Sequence, residues 1–218
     1  MRRHAGIAAI VMLALVPGRA VAQEPRLAGR LPDQARIRID AMLDSARADG
    51  LPTEPLVDRA LEGAAKGAPA DRIIAAVARL RDELGAVRGA LGDPLSTAEL
   101  TAGASALRAG ASPSDLAQLR KLRASQPLTV PAAVLADLVA AGVPADTAVR
   151  AVLALAPSTA DAEYVAFRRN VQRDIELGAS PSAALGVRLR AAGEMVDSPN
   201  SPTTGQGIPP GVRRKQKP

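Results

Sequence analysis

One five-residue join, Gly67-Ala68-Pro69-Ala70-Asp71, limits what this chain can fold into more than any other stretch. Glycine takes the left-handed conformation that ends a helix without a Cβ penalty. Pro69 has φ already set for the first turn of a new helix, and Asp71 places a carboxylate where the helix dipole favours it. The flanks have helical spacing. Leu56, Val57, Ala60, Leu61 and Ala64 share one face before the join, and Ile73, Ile74, Val77, Leu80, Leu84, Val87 and Leu91 follow it. Thr53 is placed to cap the first helix, with Pro55 in its first turn. Two helices joined by so short a turn lie antiparallel or nearly so.

The same order, glycine then a small or apolar residue then Pro or Ser, recurs at Gly50-Leu51-Pro52, Gly110-Ala111-Ser112, Gly142-Val143-Pro144 and Gly178-Ala179-Ser180. Gly67–Leu80 and Gly142–Leu155 are identical at 7 of 14 positions, enough to suggest related units. A second join alternates with the first at Pro94-Leu95-Ser96, Pro127-Leu128-Thr129 and Pro157-Ser158-Thr159. Its recurrence, and that of the first join, gives a period of roughly 30–40 residues, in the range of helical-hairpin repeats. Two arrangements stay open: divergent hairpins stacked as a short α-solenoid, or a plain helical bundle with recurrent Gly-Pro punctuation.

Capping patterns set the helix starts. Asp33 is placed to cap a first helix reaching Asp49, with Ile39, Met42, Leu43 and Ala46 on its buried face. Ser96-Thr97-Ala98-Glu99 has the form of a capping box, as does Ser112 with Asp115. Thr129 caps a further helix, Ser158 or Thr159 starts a longer one, and a last runs over 181–195. Gly85-Ala86-Val87-Arg88-Gly89 reads as a bending or fraying helix end. No stretch alternates apolar and polar residues as a strand does. The expected fold class is all-α: seven to nine helices in short-looped antiparallel hairpins, a repeat-like bundle or short α-solenoid, with a disordered C-terminal tail. The expected divisions are a signal peptide over 1–22, a flexible segment over 23–32, a helical domain of repeated hairpins over 33–196 and a basic tail over 197–218.

The signal peptide rests on Arg2 and Arg3, the 12-residue apolar run Ala5–Val16, the break at Pro17-Gly18 and the small residues Ala20-Val21-Ala22. The run is shorter than the ~20 residues a membrane span needs. Cleavage after Ala22 is expected, and the localisation is periplasmic or secreted. Arginine outnumbers lysine 24 to 4, a bias associated with GC-rich bacterial genomes.

The net charge of +6 resides outside the body of the chain. Residues 23–196 carry 21 basic and 21 acidic side chains, so nothing global draws this part to nucleic acid or an anionic membrane. Arg213, Arg214, Lys215 and Lys217 form a basic end, the candidate polyanion-binding residues. Near an anionic membrane each contributes ~1 kcal/mol of salt-sensitive attraction.

The only histidine, His4, lies in the signal peptide, and there is no cysteine. His-based catalysis, thiol nucleophiles and the usual zinc sets are therefore absent from the mature chain. No glycine-rich phosphate loop, GxSxG or HExxH motif and no calcium loop occurs. Asp82-Glu83 and Asp161 with Glu163 are the closest acidic groupings, read as solvated faces or caps. No catalytic residue, cofactor or metal is expected, and the chain is read as a non-enzyme.

Tyr164 and Phe167, three residues apart beside Arg168 and Arg169, are the only aromatics. They read either as a core anchor with arginines at its rim or as a hot spot for a partner, since Tyr and Arg are favoured there. These four are the candidate partner-binding residues. Arg120-Lys121-Arg123 reads as a second basic cluster on a solvated face. An alanine-rich interior buries little area per residue, which implies modest stability or a partner that completes the core. The functional expectation is an exported, non-catalytic helical module mediating protein–protein interaction in the bacterial cell envelope, with an envelope protein as partner. The alternative is a structural or surface-associated envelope protein held through its basic tail.

Overall fold

The computed structural model describes residues 24–93 and 95–197. Within them the chain is all-α. A 3-10 turn (Pro25–Leu27) precedes α1 (Asp33–Ala48), α2 (Glu54–Ala65), α3 (Ala70–Leu91), α4 (Thr97–Arg108) and α5 (Pro113–Leu122). Then come α6 (Thr129–Ala140), α7 (Ala145–Leu155), α8 (Asp161–Glu176) and α9 (Pro181–Asp197), with no strand among the described residues. The expected signal peptide and the basic residues of the expected tail lie outside the described residues.

All five glycine joins close their helices by one mechanism. Gly50, Gly67, Gly110, Gly142 and Gly178 have φ between 64° and 108°. The residue after each donates its N–H to a carbonyl five residues back: Leu51 to Ala46, Ala68 to Gly63, Ala111 to Ala106, Val143 to Leu138 and Ala179 to Asp174. This is the Schellman closure of a helix C-terminus. Leu51, Ala111 and Val143 are buried. The apolar residue after glycine thus serves as the hydrophobic stop as well as the turn.

Helix starts follow sequence less closely. Ser96–Glu99 and Ser112–Asp115 are reciprocal capping boxes. Thr53 occupies its cap position without a side-chain hydrogen bond. Asp33 and Thr129 are the first residues of their helices, after Pro32 and Leu128. The longer helix starts after Ala160, not Ser158 or Thr159. The Glu163 carboxylate accepts the Ala160 N–H at 2.8 Å, and alanine has no oxygen to return the bond. Gly85 and Gly89 lie inside the unbroken helix α3.

The residues expected as one helical domain divide into two compact units, with the boundary at Arg81/Asp82 within α3. In the first unit the segment 23–32, expected to be flexible, is packed over its described part. Leu27 and Leu31 are buried, and the Glu24 N–H reaches the buried Asp40 carboxylate at 3.2 Å. Pro25 opens a 3-10 turn that inserts Leu27, which a count of polar residues does not reveal. Ile39, Leu43, Ala46, Leu56, Val57 and Ala60 bury the facing sides of α1 and α2. Gly63 lets α3 approach α2, since a Cβ there would stand 2.8 Å from Ile73.

The second unit is a two-layer stack. In one layer α6 packs on α4 and α8 on α6; in the other α7 packs on α5 and α9 on α7. Each helix therefore touches the helix two places along the chain, the pattern of stacked hairpins. Helices α4, α6 and α8 begin at Thr97, Thr129 and Asp161, so the step from one to the next is the same both times. The second join follows this register less evenly, because its proline stands three, two and four positions before the helix start in its successive copies. Helix α8 has 16 residues where α4 and α6 have 12, one extra turn before Gly178.

Candidate functional site

The sequence directs attention to the α8 edge of the second unit, and the structure sorts its four residues into different roles. Tyr164 is fully buried and Phe167 is 7% exposed. Both project from the face of α8 that enters the core, as their three-residue spacing requires. The Tyr164 hydroxyl donates to the Val152 carbonyl at 2.8 Å. Val152 lies in the last turn of α7, where carbonyls lack intrahelical partners, and the Ala156 N–H goes to Leu153 instead. Tyr164 thus closes the end of the neighbouring helix. Burial pushes its phenol up to about 12; the Arg123 cation opposes this and Asp161 adds to it.

Arg123 is the residue that local sequence misplaces. Its cluster reads as a solvated face, yet its side chain is 1% exposed. It donates to the Thr159 carbonyl and to Asp161 Oδ1, both at 2.6 Å, and lies 5.4 Å from the Tyr164 ring centre. Its Nε has no partner. The reason is topological: α5 delivers Arg123 to the start of α8, 36 and 38 residues away in sequence. No local pattern encodes that meeting.

Arg168 pairs with Asp137 of α6 at 2.7 Å, and Arg169 is exposed. Arginines join other helices of this unit in the same way. Arg108 pairs with Glu83, Arg120 with Glu99 at 2.9 Å, and Arg188 holds both oxygens of Asp174 at 2.7 Å. Burial raises the Glu99 carboxyl, but the Leu128 N–H, Arg120 and Ser96 outweigh it and hold the group below the usual range. The Arg188 hydrogen bonds hold Asp174 low as well. Asp161 and Glu163 stand at a helix start, bound to Arg123 and the Ala160 N–H.

Among the described residues, two of the clefts on this unit bear on the site. One, of about 390 Å³, is polar and bordered by Asp93, Glu99, Arg120 and Gln126. The other, of about 320 Å³, has Leu155 and Phe167 as its floor and Ser158, Thr159, Glu163 and Asn170 at its rim. Among the described residues no three His, Cys, Asp or Glu side chains are placed to share a metal ion, and no helix is long and apolar enough to cross a membrane. The candidate polyanion-binding residues Arg213, Arg214, Lys215 and Lys217 lie outside the described residues.

No family model matches the sequence, and neither a curated protein nor a solved structure matches it.

Proposed function

We propose that this chain is an exported helical scaffold that binds another protein of the bacterial envelope through the faces of its stacked hairpins. The observation that carries the reading is the constant register of the second unit, in which α4, α6 and α8 start at Thr97, Thr129 and Asp161. Stacked hairpins present continuous surfaces built from equivalent positions of successive repeats, and such surfaces are used for protein recognition. The arginine pairs between helices hold that surface in a fixed arrangement. The apolar run over 5–16 and the small residues before Gln23 support export.

Within the site, Tyr164 and Phe167 support the surface from below, while Arg169 is available to a partner. A partner-binding role for Tyr164 therefore acts through the shape of α8. The alternative, attachment to an anionic surface through Arg213, Arg214, Lys215 and Lys217, is favoured by the clustering of positive charge after a charge-balanced body.

A crosslinking pull-down from the native envelope, with residues 23–218 and 23–196 as paired baits, tests both. The scaffold reading expects one protein captured by both baits and lost on Arg169→Glu. Capture by the longer bait alone, abolished by high salt, would replace it with the tail-mediated reading. Two folded baits that capture nothing would refute both.

A further inference from the structure

Helix α8 carries two pairs of an aromatic ring and a carboxylate. Asp161 and Tyr164 stand three residues apart and Glu163 and Phe167 four, spacings that bring side chains together on a helix surface. The first pair already holds a guanidinium. Arg123 donates to Asp161 and to the Thr159 carbonyl and lies 5.4 Å from the Tyr164 ring centre. The second pair opens on the 320 Å³ cleft, with Phe167 on its floor and the exposed Glu163 on its rim.

An interior copy of the same junction shows what such a glutamate binds. Glu99 and Glu163 are each the third residue of their helix, and the clefts beside them include the last residue of the preceding helix, Leu91 or Leu155. Each glutamate gives one oxygen to the N–H of its cap residue, Ser96 or Ala160. The other oxygen of Glu99 accepts from the Arg120 guanidinium at 2.9 Å and from the Leu128 N–H at 3.2 Å. Among the described residues none donates to the other oxygen of Glu163.

We propose that this cleft binds an arginine side chain of a partner protein, with the guanidinium on Glu163 and against Phe167. The partner as source rests on the scaffold reading; the guanidinium rests on the cleft alone. Among the described residues no basic side chain borders the cleft, so Glu163 sets its charge. A carboxylate binds a guanidinium through charge-assisted hydrogen bonds, and an aromatic ring attracts the same group and stacks on its plane. Ser158, Thr159 and Asn170 offer further acceptors on the rim. Several acceptors around one ring suit a planar fork of N–H donors, where lysine presents only a point charge. At about 320 Å³ the cleft lies at the small end of ligand sites and suits one side chain rather than a helix.

The test titrates N-acetyl-arginine amide into the nitrogen-15-labelled full chain, beside N-acetyl-citrulline amide, its uncharged isostere. The expected result is saturable shifts of the Ser158, Thr159, Ala166 and Asn170 amide signals, with the arginine compound bound roughly five-fold more tightly. Glu163→Gln keeps an oxygen for the Ala160 N–H, so helical circular dichroism is unchanged while the preference for arginine is lost. Equal affinity for the two amides, shifts centred elsewhere on the body or no saturable shift overturns the proposal, as does a preference that survives Glu163→Gln. The source is read from the envelope pull-down repeated with a Glu163→Gln bait. Loss of the protein that the unaltered bait captures places the arginine on that partner. With the arginine preference intact, a protein captured equally by both baits, or no captured protein, overturns the partner as source and assigns the cleft to a free guanidinium compound. Only the second of these outcomes also refutes the scaffold reading.

Discussion

Replacing Gly103 by alanine tests the packing of the second unit directly. Gly103 is buried in α4 against Val87 of α3. An added Cβ would stand 2.6 Å from one Val87 γ-methyl, 2.9 Å from the other and 3.4 Å from its Cβ. A β-branched side chain in a helix holds essentially one χ1 rotamer, so Val87 cannot swing aside and the helices must move apart. Overpacking of this kind costs ~1–3 kcal/mol, while exchanging glycine for alanine within a helix gains ~1 kcal/mol. The net expectation for Gly103→Ala is a loss of roughly 1 kcal/mol. Gly85 and Gly89 in α3 supply the contrast, because nothing lies within 4 Å of a Cβ at either position. Alanine there should gain ~0.5–1 kcal/mol each. Thermal unfolding followed by circular dichroism reads the difference, since ~1 kcal/mol moves Tm by about 2–4 °C at this size. In a Val87→Ala background the Gly103→Ala loss should largely vanish. A Tm raised by Gly103→Ala as it is by Gly85→Ala, or a double variant without coupling, would refute this account of the contact.

The other expectations concern the arginine and carboxylate network. The single tyrosine, with no tryptophan present, makes the phenolate absorbance a report on Tyr164 alone. Its folded pKa is raised, so stability is intact below the usual tyrosine value of 10 and declines from there towards about 12. A phenolate transition near pH 10 with the helices still formed would contradict the buried placement. Arg123→Met removes two charge-assisted hydrogen bonds and the contact with the Tyr164 ring, with an expected loss of ~2–4 kcal/mol in urea unfolding; a change under ~0.5 kcal/mol would return Arg123 to the solvated face. Glu99 has its folded pKa lowered, so its contribution is present above the usual glutamate value of 4.5 and disappears as pH falls through the lower folded value. Glu99→Gln should flatten that part of the acid unfolding curve, and an unchanged curve would show the Arg120 and Leu128 contacts to be inconsequential.

Much of the fold was legible because its signals are local. The Gly50, Gly67, Gly110, Gly142 and Gly178 stops each need only a short run of neighbours to form, and all five can be read in the text. The capping boxes at Ser96 and Ser112 are four-residue patterns of the same kind. What escaped was set at a distance. Leu27 and Leu31 look like scattered apolar residues in a polar lead until the 3-10 turn packs on α2 and the Glu24 N–H reaches Asp40. Arg123 looks solvated until α5 and the start of α8 meet. The α8 edge is marked in the sequence by its aromatics, but the buried Tyr164 hydroxyl has a partner only because α7 supplies the Val152 carbonyl. The repeat period was blurred because the joins tolerate a proline at different offsets, while helix starts keep the spacing.

The extra turn of α8 bears on how such a chain can change length. A helix closes a turn every ~3.6 residues, so four inserted residues bring the exit of the chain back almost to its former bearing. Helix α9 can therefore still settle against α7 after the insertion, as it does. One or two inserted residues would leave the exit between a quarter and a little over half a turn away and direct α9 out of its layer. Viable insertions and deletions within these helices are accordingly quantised in near-whole turns, and larger ones in whole hairpins, the step that separates Thr97, Thr129 and Asp161.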